Sequence, residues 1–240
     1  MCSSDLLMPE TPLFVDELKR RMKPHGTEVV YSEGCDDDCL EPEKSDFDAA
    51  VAAARHGDLI VAMLGEPWYL TAESTSRTRL GLPNHQQELL DRLAATGKPV
   101  ILITLAGRGL VMTEAMPKAK AVLYAFAPGT MGGPALVDLI LGEASPSARL
   151  PVSLPRAVGQ LPISYDVMNT GRPVPDNKID DLWSRYVDEE PTPLFPFGFG
   201  LSYTRFAYSD LKLSAPRIGR DGTLEGSEEH TSELQSPCNL

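Results

Sequence analysis

Residues 58–64 read D-L-I-V-A-M-L, and residues 100–106 read V-I-L-I-T-L-A. Each is an apolar run of strand length without polar alternation, the pattern of a parallel strand buried on both faces. Between them, N-H-Q-Q-E-L-L-D-R-L-A-A-T (84–96) sets Leu89, Leu90 and Leu93 on one helical face, and Gly97, Lys98 and Pro99 end the helix. A strand–helix–strand unit predicts a mostly parallel sheet, and the flanking sequence extends it on both sides. Downstream, 119–124 reads as a third strand, and 135–141 as a short helix after the turn A-P-G-T-M-G-G-P. Upstream, 11–22 has Leu13, Phe14, Val15, Leu18 and Met22 on one side, with Lys and Arg late, where the helix dipole favours them. Residues 28–31 (E-V-V-Y) read as a short strand, and Ser45 as the cap of an Ala-rich helix running to Arg55. The expected fold is a three-layer α/β sandwich. After about residue 145 proline is frequent and the chain is expected to be extended. Residues 203–213 then alternate as a strand, the expected opening of a separate β domain.

The formal charge of −12 speaks against nucleic acid as a partner, because phosphate binding needs clustered Lys and Arg. The apolar runs 59–64 and 100–106 are far too short to cross a bilayer. Cys35 and Cys39 stand in C-D-D-D-C, with no second Cys or His pair to complete a zinc site. They either pair in an oxidising compartment or remain two free thiols on a loop. The four His are scattered, so neither metal nor cofactor is expected. Residues 1–6 (M-C-S-S-D-L) and 226–240 (G-S-E-E-H-T-S-E-L-Q-S-P-C-N-L) resemble in-frame translations of sequencing adapters. The tail shows neither apolar periodicity nor strand alternation. Both ends are therefore expected to be foreign, and the reading frame cut on both sides.

Several segments, in order, resemble the second domain of family 3 glycoside hydrolases, especially the bacterial periplasmic β-glucosidase type. They include L-G-E-P-W-Y (64–69), A-E-S-T-S-R (72–77), L-P-N-H-Q-Q-E-L-L (82–90) and T-G-K-P-V-I-L (96–102). G-R (107–108), A-F-A-P-G-T-M-G-G-P-A-L-V-D-L-I-L-G (125–142) and P-S-A-R-L-P-V-S-L-P-R-A-V-G-Q-L-P (146–162) follow. N-T-G-R-P (169–173), S-R-Y-V-D (184–188) and L-F-P-F-G-F-G-L-S-Y-T-R-F (194–206) complete the series. The resemblance implies an N-terminal barrel with the catalytic Asp nucleophile, an α/β domain with the general acid/base, and often a fibronectin-III-like domain. On that frame 7–200 is the α/β domain, truncated at its start, and 201–225 opens the third domain. The implied activity is retaining hydrolysis of terminal β-linked glucose or a similar sugar, in the periplasm or outside the cell. The implied partners are a β-linked oligosaccharide or glycoside and the barrel of the same chain.

A retaining glycosidase needs a nucleophile and an acid/base carboxyl about 5–5.5 Å apart, and this chain is expected to supply only the second. Glu66 follows a buried strand directly, where ligands collect in open α/β sheets. Pro67, Trp68 and Tyr69 beside it would offer an apolar wall, with Trp68 stacking on a sugar. Glu66 is therefore the first choice for acid/base. Glu73 is the second, its carboxylate expected to be held charged by Arg77, which favours a structural or sugar-hydroxyl role over that of the acid. The rival reading is a non-catalytic module that binds sugar or docks the barrel. F-P-F-G-F-G-L-S-Y reads as a packed aromatic loop and G-T-M-G-G-P as tight strand-to-helix packing, since neither completes a nucleotide-binding motif. Arg172 and the segment 185–188 read as loop-fixing ion pairs.

Overall fold

The computed structural model describes residues 12–35, 39–40, 46–166, 172 and 184–234; the side chains of 228–234 are not described. The string 1–6 lies wholly outside this range, as do 235–240 of the C-terminal string and most of N-T-G-R-P.

Three parallel strands form the central sheet: β1 (Ile60–Gly65), β2 (Val100–Leu105) and β3 (Ala121–Tyr124), in the order β1-β2-β3. The register runs from Ile60↔Val100 to Gly65↔Leu105, and Thr104 opposes Tyr124. Successive side chains alternate between faces. On one face lie Ile60, Ala62, Leu64, Val100 and Leu102. They share a core with Phe47, Ala50 and Ala54 of α2 (Phe47–His56) and with Leu89, Leu90 and Leu93 of α4 (Gln86–Ala94). Leu90 and Leu102 are wholly buried. Ile103, of opposite parity, is also wholly buried, as is Val137 of α5 (Gly132–Ile140). Met63 on that second face remains 38% exposed, so the cover there is incomplete.

The first helix, α1 (Phe14–Met22), lies against α5. Gly133 makes this approach possible: a Cβ there would stand 2.4 Å from the carbonyl oxygen of Pro12 and 2.9 Å from the Phe14 nitrogen. Arg21 then bridges the pair, reaching Asp138 at 3.0 Å and also Glu143. The close packing at G-T-M-G-G-P is thus of helix on helix, where strand-to-helix packing is expected from its composition.

Three expectations change. Residues 28–31 form no strand: Val30 and Tyr31 are 60% and 61% exposed, and no ladder partner stands beside them among the described residues. The cap of α2 is Asp46, whose carboxylate accepts from the Ala49 N–H at 3.2 Å, one residue later than the expected Ser45. The tail 226–240, expected to have no strand character, contributes β5 (Gly226–Leu234), antiparallel to β4 (Thr204–Leu213). An open edge of main-chain donors and acceptors pairs without regard to side-chain pattern. A register shift between Ser209 and Lys212 accompanies the positive φ of Asp210.

The described parts of the Pro-rich stretch are tied together through the main chain. Leu150 and Leu154 exchange hydrogen bonds with 194–199, at 2.8–3.3 Å. Buried Gln160 accepts from the Arg156 N–H at 2.6 Å and donates to the Glu190 carbonyl at 2.7 Å. The aromatic loop is packed only in part. Phe195 lies on Phe199 and Tyr165 stacks on Phe197, yet Leu201 is 77% exposed. Arg172 and the 184–188 segment meet through the backbone, the Ser184 N–H donating to the Arg172 carbonyl at 3.0 Å.

Cys35 and Cys39 are joined in a disulfide, which decides between the two alternatives the sequence leaves open. Cys39 is buried in the core cluster, and its carbonyl accepts from the His85 N–H at 3.1 Å. Cys35 is thereby linked, through Cys39, to the N-terminal end of α4.

Candidate active site

The carboxyl ends of all three parallel strands converge on Glu66. Its N–H donates to the Leu105 carbonyl at 2.7 Å, extending the β1–β2 ladder by one bond. On the other side of β1, the buried Gln86 side chain takes the place of a strand neighbour. It accepts from the Gly65 N–H and donates to the Gly65 carbonyl, both at 2.8 Å. Glu66 is thus fixed from both flanks before its side chain is considered.

That side chain is wholly buried, with 0% exposure. Oε1 accepts from Arg77 Nη1 at 2.6 Å. Arg108 Nε lies 3.3 Å from the same oxygen, an ion-pair contact not aligned as a hydrogen bond. Oε2 accepts from the Gly107 N–H at 3.3 Å. The two arginines reach onward: Arg77 Nη2 donates to the Gly81 carbonyl at 3.1 Å, and Arg108 Nη2 to the Leu70 carbonyl at 2.6 Å. Tyr124, at the end of β3, closes the cluster. Its hydroxyl donates to the Arg108 carbonyl at 2.6 Å and accepts from the Leu110 N–H at 2.9 Å.

These surroundings run against the expected proton-donor role of Glu66. Every group around the carboxyl is a donor, so both of its oxygens are placed as acceptors. No surface is left for a leaving-group oxygen to approach. Arg77, expected beside Glu73, is bound to Glu66 instead. Glu73 is exposed, and among the described residues no ion pair reaches it. It sits in the tight turn 72–75, closed by the Thr75 N–H donating to the Ala72 carbonyl at 3.3 Å, with Ser74 at φ 64°. Trp68 opens the short α3 (Trp68–Thr71), 79% exposed and edge-on to Tyr69 at 6.1 Å. Exposure suits the stacking role expected of it. Arg108, Gln86 and Tyr124 were not singled out from sequence. The signal for Arg108 is the G-R pair one residue beyond β2, at the same end of the sheet as the G-E that closes β1.

Burial, aided by the Glu66 charge, pushes the Tyr124 hydroxyl up to about 12, against a smaller opposing effect of the Leu110 N–H. An unfolded tyrosine ionises near 10. The neutral hydroxyl's contribution is therefore complete below about pH 10 and is lost as pH rises toward 12. Tyr124→Phe is expected to destabilise by about 1–3 kcal/mol at neutral pH, since two buried backbone groups lose their partner. It should also flatten the fall of the urea midpoint between about pH 10 and 12 relative to wild type. An unchanged slope would remove Tyr124 from the cluster.

Residues 6–203 match the model of the glycosyl hydrolase family 3 C-terminal domain. The chain is 42% identical over 203 residues to a periplasmic beta-glucosidase of Salmonella typhimurium, covering 85% of this chain and 26% of that protein. It is 34% identical over 222 residues to a beta-xylosidase of Formosa agariphila, covering 91% and 29%. Among solved structures, a β-glucosidase from Erythrobacter marinus superposes with TM-score 0.74 at 30% identity, over 93% of this chain and 32% of that one. The chain thus spans between a quarter and a third of the length of these relatives. A match to the domain model over most of the chain, with relatives on both sequence and structure, makes it a member of glycosyl hydrolase family 3, of which it carries the C-terminal domain.

Proposed function

We propose that this domain supplies one half of the active site of an exo-acting, retaining β-glycosidase, with Glu73 as its general acid/base and Trp68 as a sugar-stacking wall. The observation that carries the reading is the contrast between the two glutamates. Glu66 is buried under three donors, whereas Glu73 stands exposed on a tight turn that the Glu66 cluster supports. In the first half-reaction Glu73 protonates the glycosidic oxygen as it leaves. In the second it takes a proton from the water that opens the glycosyl-enzyme. The nucleophile comes from an N-terminal barrel of the longer protein, and closure of that barrel over Glu73 removes the solvent that now surrounds it. The substrate class is a terminal β-linked glucoside or xyloside, the two activities named for the relatives. A periplasmic or secreted location accords with the first relative's name and with the Cys35–Cys39 disulfide, a bond that persists in oxidising compartments.

The test compares the 240-residue chain with the full-length protein on aryl β-glucosides and β-xylosides. The full-length protein should hydrolyse them with retention, and the chain alone should not, since the covalent step lacks its nucleophile. Turnover by the chain alone would overturn the division of labour. A folded full-length protein without turnover would favour the non-catalytic docking module.

A further inference from the structure

We propose that Glu66 is a positioning residue for Glu73: together with Arg77 and Arg108 it clamps both ends of the loop that presents the acid/base. The inference rests on the Glu73 assignment. The clamp is visible in where the two arginines go after meeting Glu66. Arg108 reaches the carbonyl of Leu70, three positions before Glu73, at 2.6 Å. Arg77, four positions after Glu73, reaches the carbonyl of Gly81 at 3.1 Å and so fixes the returning limb of the loop. Among the described residues, the partner they share is the buried Glu66 carboxylate. Glu66 itself is held by the sheet through its N–H to Leu105, so the loop inherits the rigidity of β1 and β2. Gly107 adds a third tie, its N–H on Oε2; a Cβ at this position would stand 2.9 Å from the Thr71 Cβ, the last residue of α3.

A buried ion pair serving only cohesion would bind elements of the core to one another. Here, among the described residues, the onward bonds of both arginine side chains land on the segment 70–81 that brackets Glu73. Without the carboxylate, two guanidinium groups of 12% and 28% exposure lose their counter-charge, and both loop anchors are released together. A displacement of about 1 Å in a catalytic group costs up to about 10²-fold in rate.

The experiment measures turnover of the full-length protein carrying Glu66→Gln, Glu73→Gln, or both. Each is assayed on an alkyl β-glycoside, which needs a proton donor, and on a dinitrophenyl β-glycoside, which does not. Glu66→Gln is expected to lose about 10–10²-fold in kcat on the alkyl substrate, with the activated substrate within a few-fold of wild type. The double variant should be no slower than Glu73→Gln, because a misplaced acid and a missing acid are the same defect. Equal loss on both substrates, or losses that multiply in the double variant, would overturn the positioning role while leaving Glu73 standing. A Glu73→Gln variant indifferent to the leaving group would overturn the Glu73 assignment and this inference with it. Should Glu66→Gln fail to fold, Arg77→Lys keeps the charge and shortens the fork. The same leaving-group selectivity is expected of it, and its absence would count against the clamp.

Discussion

Glu73→Ala in the full-length protein is expected to lower kcat/KM on alkyl β-glycosides by about 10²–10⁴-fold, while substrates with strongly acidic phenols lose far less. The asymmetry follows from what the proton does. An alkoxide cannot leave without being protonated, so the transition state for glycosylation depends on the donor. A dinitrophenolate leaves unaided. With the activated substrate the defect moves to the second step, where no base takes the proton from water, and a glycosyl-enzyme should accumulate as a burst. Azide, which needs no deprotonation, should restore turnover by entering the space vacated by the carboxylate. Glu66→Gln should not respond to azide, since its side chain is sealed from solvent by Arg77, Arg108 and Gly107. The pH profile gives a second reading: the limb set by loss of the acid's proton should disappear in Glu73→Ala. Azide rescue of Glu66→Gln, with none for Glu73→Ala, would return the acid/base role to Glu66.

What sequence showed and what it concealed divide along physical lines. The strands β1 and β2 and the helix α4 were legible because each carries its own signal: a run of large apolar residues, or a leucine face closed by Gly97. Strand 28–31 carried the same kind of signal and failed, because a strand needs a neighbour and E-V-V-Y has none among the described residues. Gly226–Leu234 failed in the opposite sense, pairing without any apolar pattern because β4 presents a free edge. The site was legible as a place and not as an assignment. Two glutamates in the loop after β1 were both visible. The feature that separates them is the arrival of Arg108 from the end of β2, a contact between segments that no local spacing encodes. Arg77 is a related case: it is near Glu73 in sequence and reaches Glu66 in space.

The second large effect is expected at Gly65→Ala, a change that touches no functional group. Gly65 has φ 154°, and a Cβ there would lie 1.8 Å from the Leu105 carbonyl oxygen and within 3 Å of that residue's carbonyl carbon and nitrogen. All three are main-chain atoms of β2, so no side-chain rotation relieves the clash. The strand would have to separate where Gly65 pairs with Leu105, and with it would go the 2.7 Å bond from the Glu66 N–H to the Leu105 carbonyl. The Gln86 bridge to both Gly65 backbone groups would strain from the other side. Displacing the end of β1 from β2 therefore undoes the seat of Glu66 and the loop above it together. The loss should exceed about 4 kcal/mol, in the range reserved for backbone conflicts in a core, against a typical domain stability of about 5–15 kcal/mol. Gly159→Ala is the matched control, because its Cβ would meet nothing within 4 Å and its φ is ordinary. In full-length protein, Gly159→Ala should resemble wild type in soluble yield and protease resistance. Gly65→Ala should leave the C-terminal domain insoluble or rapidly cleaved. A Gly65→Ala protein as resistant as the control would mean that β1 and β2 do not meet at Gly65 and Leu105. The placement of Glu66 at the strand end, on which the clamp depends, would fall with that contact.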